Sequence, residues 1–135
     1  MNGIAAIRSV LVADSGMTAI VPAARIIAGP AKIGLELPFA MIERVSRNDR
    51  NIPTPGPTRA VRERVRVTVV AANLPSREEV LRAVRHAAAD QLYPTVPGIS
   101  GVTIHTDGGG PPFYDDDYAG HRESQDFMVK YTETR

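Results

Sequence analysis

The stretch Arg59–Asn73 leaves the chain the fewest choices. It reads Arg-Ala-Val-Arg-Glu-Arg-Val-Arg-Val-Thr-Val-Val-Ala-Ala-Asn. From Val61 onward the residues alternate. Val61, Val65, Val67, Val69 and Ala71 share one face, with Glu63 the single polar exception; Arg62, Arg64, Arg66 and Thr68 share the other. A period of two carried by β-branched residues predicts a long strand with one face buried. At about 3.3 Å per residue it spans roughly 35 Å, with the same-face arginines about 6.6 Å apart. One acid cannot satisfy three guanidinium groups at that spacing. The arginine face is therefore either a solvated, ion-paired sheet surface, the ordinary setting for charge, or a wall turned toward a partner.

The flanks of this strand are legible too. Downstream, Pro75-Ser76-Arg77-Glu78-Glu79 opens a helix, with Ser76 as N-cap and Glu79 closing a capping box. Val80, Leu81, Val84, Ala87, Ala88 and Leu92 form one apolar stripe, and Arg77, Arg82, Arg85 and Asp90 lie off it. The helix is predicted from Arg77 to about Leu92, ended by Tyr93-Pro94. Upstream, Phe39–Val45 is a strand apolar on both faces, Phe39 and Met41 on one and Ala40 and Ile42 on the other. Between them Ser46–Thr58 reads as irregular, because Pro53, Pro55 and Pro57 oppose a ladder. A connection this long is uncommon unless it has a function. We read a hairpin carrying a projecting Pro-rich arm, about residues 46–60.

Elsewhere Ile4, Ile7, Val10 and Leu11 recur at helical spacing, predicting a helix over Gly3–Asp14; Thr18–Val21 is a further short turn. Arg25-Ile26-Ile27, Gly98–Thr106 and His121–Thr132 read as strands, and Asp107–Gly120 as a second irregular loop. The expected fold is α+β: a mostly antiparallel sheet of four to five strands, two main helices on one face, a polar second face, and a long arm between the second and third strands.

A length of 135 residues suits a single domain, residues 1–135. There is no cysteine, so disulfides and thiolate metal sites are excluded. No apolar run approaches the ~18 residues of a membrane span, and no signal-peptide pattern opens the chain, so no membrane partner is expected. The net charge is only +1, but its distribution is uneven. Arg44–Arg66 holds seven arginines against Asp49 and Glu63; Asp107–Asp126 holds six acids against Arg122. These balances of +5 and −5 either neutralise each other within the fold or meet between neighbouring copies. Only Lys32 and Lys130 among the sixteen basic residues are lysines, and arginine's planar fork suits interface ion pairs.

Catalytic machinery is not in view. His86 has no acid or histidine at metal-binding spacing. His105 and Asp107 with Asp115–Asp117 lack the glycine and closing glutamate of a calcium loop. Gly108–Gly110 is followed by two prolines and not by the helix a phosphate cradle requires. No serine has a nucleophile-elbow setting. The expectation is no enzyme, no cofactor and no metal. The basic arm could neutralise phosphates, but it lacks interleaved aromatics for stacking bases.

The layout resembles the tail-terminator (tail-completion) family of long-tailed bacteriophages, prophages and gene transfer agents. Five places carry the resemblance: the N-terminal helix running into Leu11–Val21; Arg25-Ile26 on the next strand; Leu37-Pro38-Phe39 opening the second; the strand Val61–Ala72 feeding the helix Arg77–Leu92; and the final pair, Gly101–Thr106 and the strand through Asp126-Phe127-Met128-Val129. Order and spacing carry it over nearly the whole chain; the arm and the Asp-rich loop are longer and more charged than the family pattern. The resemblance implies a structural virion protein at the head-proximal end of the tail, assembled in the host cytoplasm. It would form a homo-oligomeric ring, usually a hexamer, on the tail tube, stopping tube growth and presenting the surface that joins the head-completion (connector) protein. Competing readings are another head–tail connector or tail-tube component, or a small nucleic-acid-binding module.

Two site expectations follow. Arg47, Arg50 and Arg59 of the arm contact Asp115, Asp116 and Asp117 of a neighbouring copy. Arg62, Arg64 and Arg66 face the ring lumen or the tube below, where nonspecific contact with passing DNA would occur.

Overall fold

A computed structural model describes residues 2–50, 56–92 and 94–134. Its centre is the predicted long strand, β3 (Thr58–Ala71), between β2 (Phe39–Arg50) and β7 (Gly120–Thr134). With β1 (Ile26–Ala28), β4 (Gln91–Leu92), β5 (Ile99–Gly109) and β6 (Phe113–Asp115) they form one sheet in the order β1-β2-β3-β7-β5-β4, with β6 paired to β7. Only β1–β2 is parallel. Three helices, α1 (Asn2–Ala13), α2 (Ser15–Ile20) and α3 (Leu74–Ala88), complete an α+β domain. β4 and β6 are strands that sequence reading missed.

The alternation of β3 divides the molecule. Its odd residues Val61, Val65, Val67 and Val69 are buried under the helices. There they join Ala40 and Ile42 of β2, Phe127 and Val129 of β7, Ile7 and Leu11 of α1, and Val80 and Val84 of α3 in the main core. The second face of the sheet is polar at the hairpin end. At the other end it carries a small apolar cluster of Ala31, Phe39, Met41 and Val70, closed by Leu35, Leu37 and Tyr118. The two apolar faces of β2 are thus both used, as Phe39–Ile42 predicted, and the second face is less uniformly polar than expected.

Glu63 lies on the helix face and is 2% exposed. Gly3 makes this burial possible, since a Cβ there would collide with the Glu63 carboxylate. The carboxylate therefore sits against the first turn of α1, where the helix dipole favours negative charge. Its Oε1 lies 3.7 Å from Arg44, and its Oε2 is buried without a hydrogen-bond partner. Burial, with the nearby Glu63 charge, raises the Tyr131 hydroxyl well above its ordinary value.

Several boundaries differ from expectation; β5 runs on through Gly109, pairing with Gln125, into the segment Asp107–Gly120 expected to be irregular. β2 runs on to pair through Arg50↔Ala60, and β3 begins at Thr58, opposite Thr134 of β7, so residues 46–50 and 58–60 of the arm belong to the main sheet and are not irregular chain. Pro53 and Pro55 lie outside the described residues. Helix α3 begins at Leu74, capped by Asn73, whose Oδ1 accepts from Ser76 N at 2.9 Å; Pro75 then occupies an early position that needs no donor. The helix ends at Ala88, before a left-handed Asp90 (φ 57°) and β4. Arg77, expected off the apolar stripe, is buried and reaches Glu78 and Glu123 at 3.0 and 3.6 Å.

Candidate functional site

The polar face of β3 puts three arginines in a row, and the register on β7 decides what each meets. Arg66 lies opposite Asp126, Arg64 opposite Met128, and Arg62 opposite Lys130. Asp126 is 1% exposed. It accepts from Arg64 Nε at 2.8 Å and from Arg66 Nε at 2.9 Å, with Arg66 Nη2 at 3.2 Å. Arg64 also donates to the Asp107 carbonyl (3.1 Å) and reaches its carboxylate (3.3 Å). Burial would push the Asp126 carboxyl up, but the hydrogen bonds from Arg66 and Arg64 prevail and hold it below the usual carboxylate range. The same bond raises Arg66. Two of the three arginines are thus internally neutralised.

Arg62 is exposed, and among the described residues it has no ion pair or hydrogen bond. Its partner in register is another cation, Lys130, also exposed. Asn48 faces Arg62 on β2, and Arg50, two residues on, falls on the same face. Arg50, Arg62 and Lys130 border a cleft of about 470 Å³ that Asn48, Asp49, Gly101 and Tyr131 help to line. Arg47 and Arg59, expected to be interface residues, flank Asp49 at 3.8 and 3.6 Å.

The acidic loop lies at the opposite end of the sheet. Asp115 is buried and holds the loop in shape. Its Oδ1 accepts from the backbone N–H of Asp117 (2.9 Å) and Tyr118 (3.3 Å), and its Oδ2 from Arg122 (2.8 Å). The Arg122 bond is the main reason that its carboxyl titrates low. Tyr118 ties the loop to the body, donating to the Ala31 carbonyl at 2.9 Å and packing edge-on against Phe39. Asp116 and Asp117 are left exposed, beside Phe113 and Tyr114, which are 51% and 53% exposed. Arg122 stacks over the Phe113 ring at 5.4 Å, and Tyr114 meets His121 edge-on at 5.2 Å.

Of the expected site residues, the structure brings Arg64 and Arg66 onto Asp126, and Arg47 and Arg59 onto Asp49. Among the described residues it leaves Arg50, Arg62, Asp116 and Asp117 unneutralised, and it makes Asp115 a scaffold. Lys130, Phe113 and Tyr114 are surface features that sequence reading did not single out. Among the described residues no three His, Asp or Glu side chains gather as a metal site, and no helix is long and apolar enough to cross a membrane.

The architecture defines a class: a single-sheet α+β domain with helices on one face and a long central strand paired on both sides. No protein-family model matches the chain, and neither does any curated protein. A solved structure does. A chain in the virion of a native gene transfer agent particle superposes with a TM-score of 0.71 at 14% identity, over 93% of this chain and 91% of that one. At that identity the two share a fold.

Proposed function

We propose that this protein is a structural component of a phage-like virion, and specifically a tail terminator. In this reading copies form a ring on the finished tail tube, end its growth and offer the surface to which the head connector joins. The observation carrying the reading is the shared fold, end to end, with a chain of a gene transfer agent virion. Charge placement supports a ring. The unneutralised cations and the exposed acids lie at opposite ends of the β3–β7 pair, the arrangement needed for a heterologous contact that repeats around an axis. The tail-tube protein below and the head-completion protein above are the expected partners, with passing DNA a nonspecific one.

Native mass spectrometry with negative-stain imaging tests the proposal, on the protein alone and with purified tail tubes. Closed rings of one size, capping tube ends and stopping elongation, are expected. Unlimited filaments would identify a tube subunit instead. Failure to form rings or bind tube ends even with tubes present would overturn the terminator reading.

A further inference from the structure

We infer that the prefolded tip of the 107–120 loop of one copy docks into the Arg50–Arg62–Lys130 cleft of the next, as a wedge with Phe113 and Tyr114 as apolar anchors on its two faces and Asp116 and Asp117 as counter-charges. The inference rests on the proposed ring for how many copies close the assembly; the contact itself is read from this chain.

Three observations carry it. First, the cleft contains an unresolved repulsion. Arg62 and Lys130 stand directly opposite across β3 and β7, where like charges destabilise a sheet, and Arg50 adds a third cation on the same face. Asp49, the acid that lines the cleft, is already flanked by Arg47 and Arg59. Second, the tip pairs charge with exposed aromatic surface. Phe113 and Tyr114, on opposite faces of β6 against Arg122 and His121, are half exposed and precede Asp116 and Asp117 closely in the chain. Aromatic anchors inside a charged rim characterise binding hot spots. The ties from Asp115, Arg122 and Tyr118 hold the tip in one shape before it binds, which lowers the ordering cost. Third, the two surfaces cannot satisfy each other within one chain. Gly120, at the base of the tip, and Lys130, at the cleft, are ten residues apart on β7, roughly 33 Å, against a screening length of about 8 Å at physiological salt. Tip and cleft are therefore complementary surfaces on opposite ends of one rigid sheet, and the contact they make is head-to-tail.

Single-sided charge reversals provide the test. A cleft variant (R62E with K130E) keeps its tip; a tip variant (Asp116→Lys with Asp117→Lys) keeps its cleft. All four positions are exposed and have no ion pair among the described residues, so circular dichroism and melting should match wild type. Each variant alone should associate at least about 100-fold more weakly than wild type by sedimentation velocity. The chain carrying both reversals should regain association. A one-to-one mixture of the two variants at low salt should also regain association, since the acidic tip of the cleft variant meets the basic cleft of the tip variant and the two reversed surfaces are again opposite in charge. Mixing the cleft variant with limiting wild type should cap growing assemblies. As a milder check, Phe113→Ala with Tyr114→Ala should weaken association at least tenfold without changing its salt dependence.

Unchanged association in the cleft and tip variants would overturn the contact while leaving rings, if seen, intact. Wild type that stays monomeric at every concentration and on tubes would overturn both. Filaments that dissolve on single-sided reversal and return on double reversal would retain the contact and discard the terminator. A cleft reversal that abolishes retention of short duplex DNA but not self-association would assign the cleft to phosphates and overturn the tip as its occupant.

Discussion

Arg62 and Arg66 are four residues apart on one strand and point to the same face, yet their circumstances are opposite. Arg66 meets Asp126, and with Arg64 it closes a carboxylate-centred network. Arg62 meets Lys130 and nothing that balances it among the described residues. A single position on the neighbouring strand decides whether an arginine is structure or surface. In the centre of the sheet the charges hold the fold; at the hairpin end Arg62 and Lys130 have no counter-charge among the described residues.

That contrast can be broken from either side. The largest effect should come from the saturated centre. Asp126→Ala removes the shared acceptor of two arginines, and we expect a loss of about 2–4 kcal/mol in urea unfolding, although Arg64 and Arg66, partly exposed, recover some hydration. Next comes the other buried carboxylate. Gly3→Ala forces a Cβ into Glu63 and should cost about 1–3 kcal/mol, read as a lower melting temperature; Glu63→Ala in the same background should recover part of it by vacating the space.

The third prediction concerns acid. Asp126 and Asp115 both titrate below their ordinary range in the fold. The unfolded chain therefore binds their protons more readily. The stability they supply is fully present above the unfolded carboxylate range near 4, and is lost as pH falls through their lower folded values. Asp126→Asn should flatten the acid limb of a stability–pH curve, whereas Lys130→Ser should leave it unchanged. If both curves superpose on wild type, the central network is not what the fold loses in acid. The smallest effect belongs to the unsatisfied end. Lys130→Asp gives Arg62 the counter-charge that Arg66 already has, and should stabilise the folded chain by about 0.5–1 kcal/mol in low salt while impairing association.

How much of this was legible follows the range of the interactions. The alternation along Val61–Ala71 announced β3 and its two faces, because strand periodicity is local and every residue takes part. The α3 stripe was visible for the same reason, but its start was not. Asn73 and Ser76 are both competent caps three residues apart; Pro75 tips the choice, fitting the first turn after Asn73 but standing outside a helix begun at Ser76. The end of β2 at Ser46–Arg50 was missed because neither face of it is apolar. It is a strand only by pairing with β3. β4 and β6 are two and three residues long, too short for any period to show.

The sequence by itself determined the α+β class, the long central strand, the segregation of seven arginines from six acids, and the absence of thiol chemistry, since all of these depend on residue type and near-neighbour order. Only the tertiary structure decided which charges are spent. It assigned Asp126 to Arg64 and Arg66, Asp49 to Arg47 and Arg59, and Asp115 to its own loop, and among the described residues it left Arg50, Arg62, Lys130, Asp116 and Asp117 unneutralised. The reason is physical. Ion pairing falls off within a few ångströms, so it is set by strand register, and register joins residues some sixty positions apart in the chain.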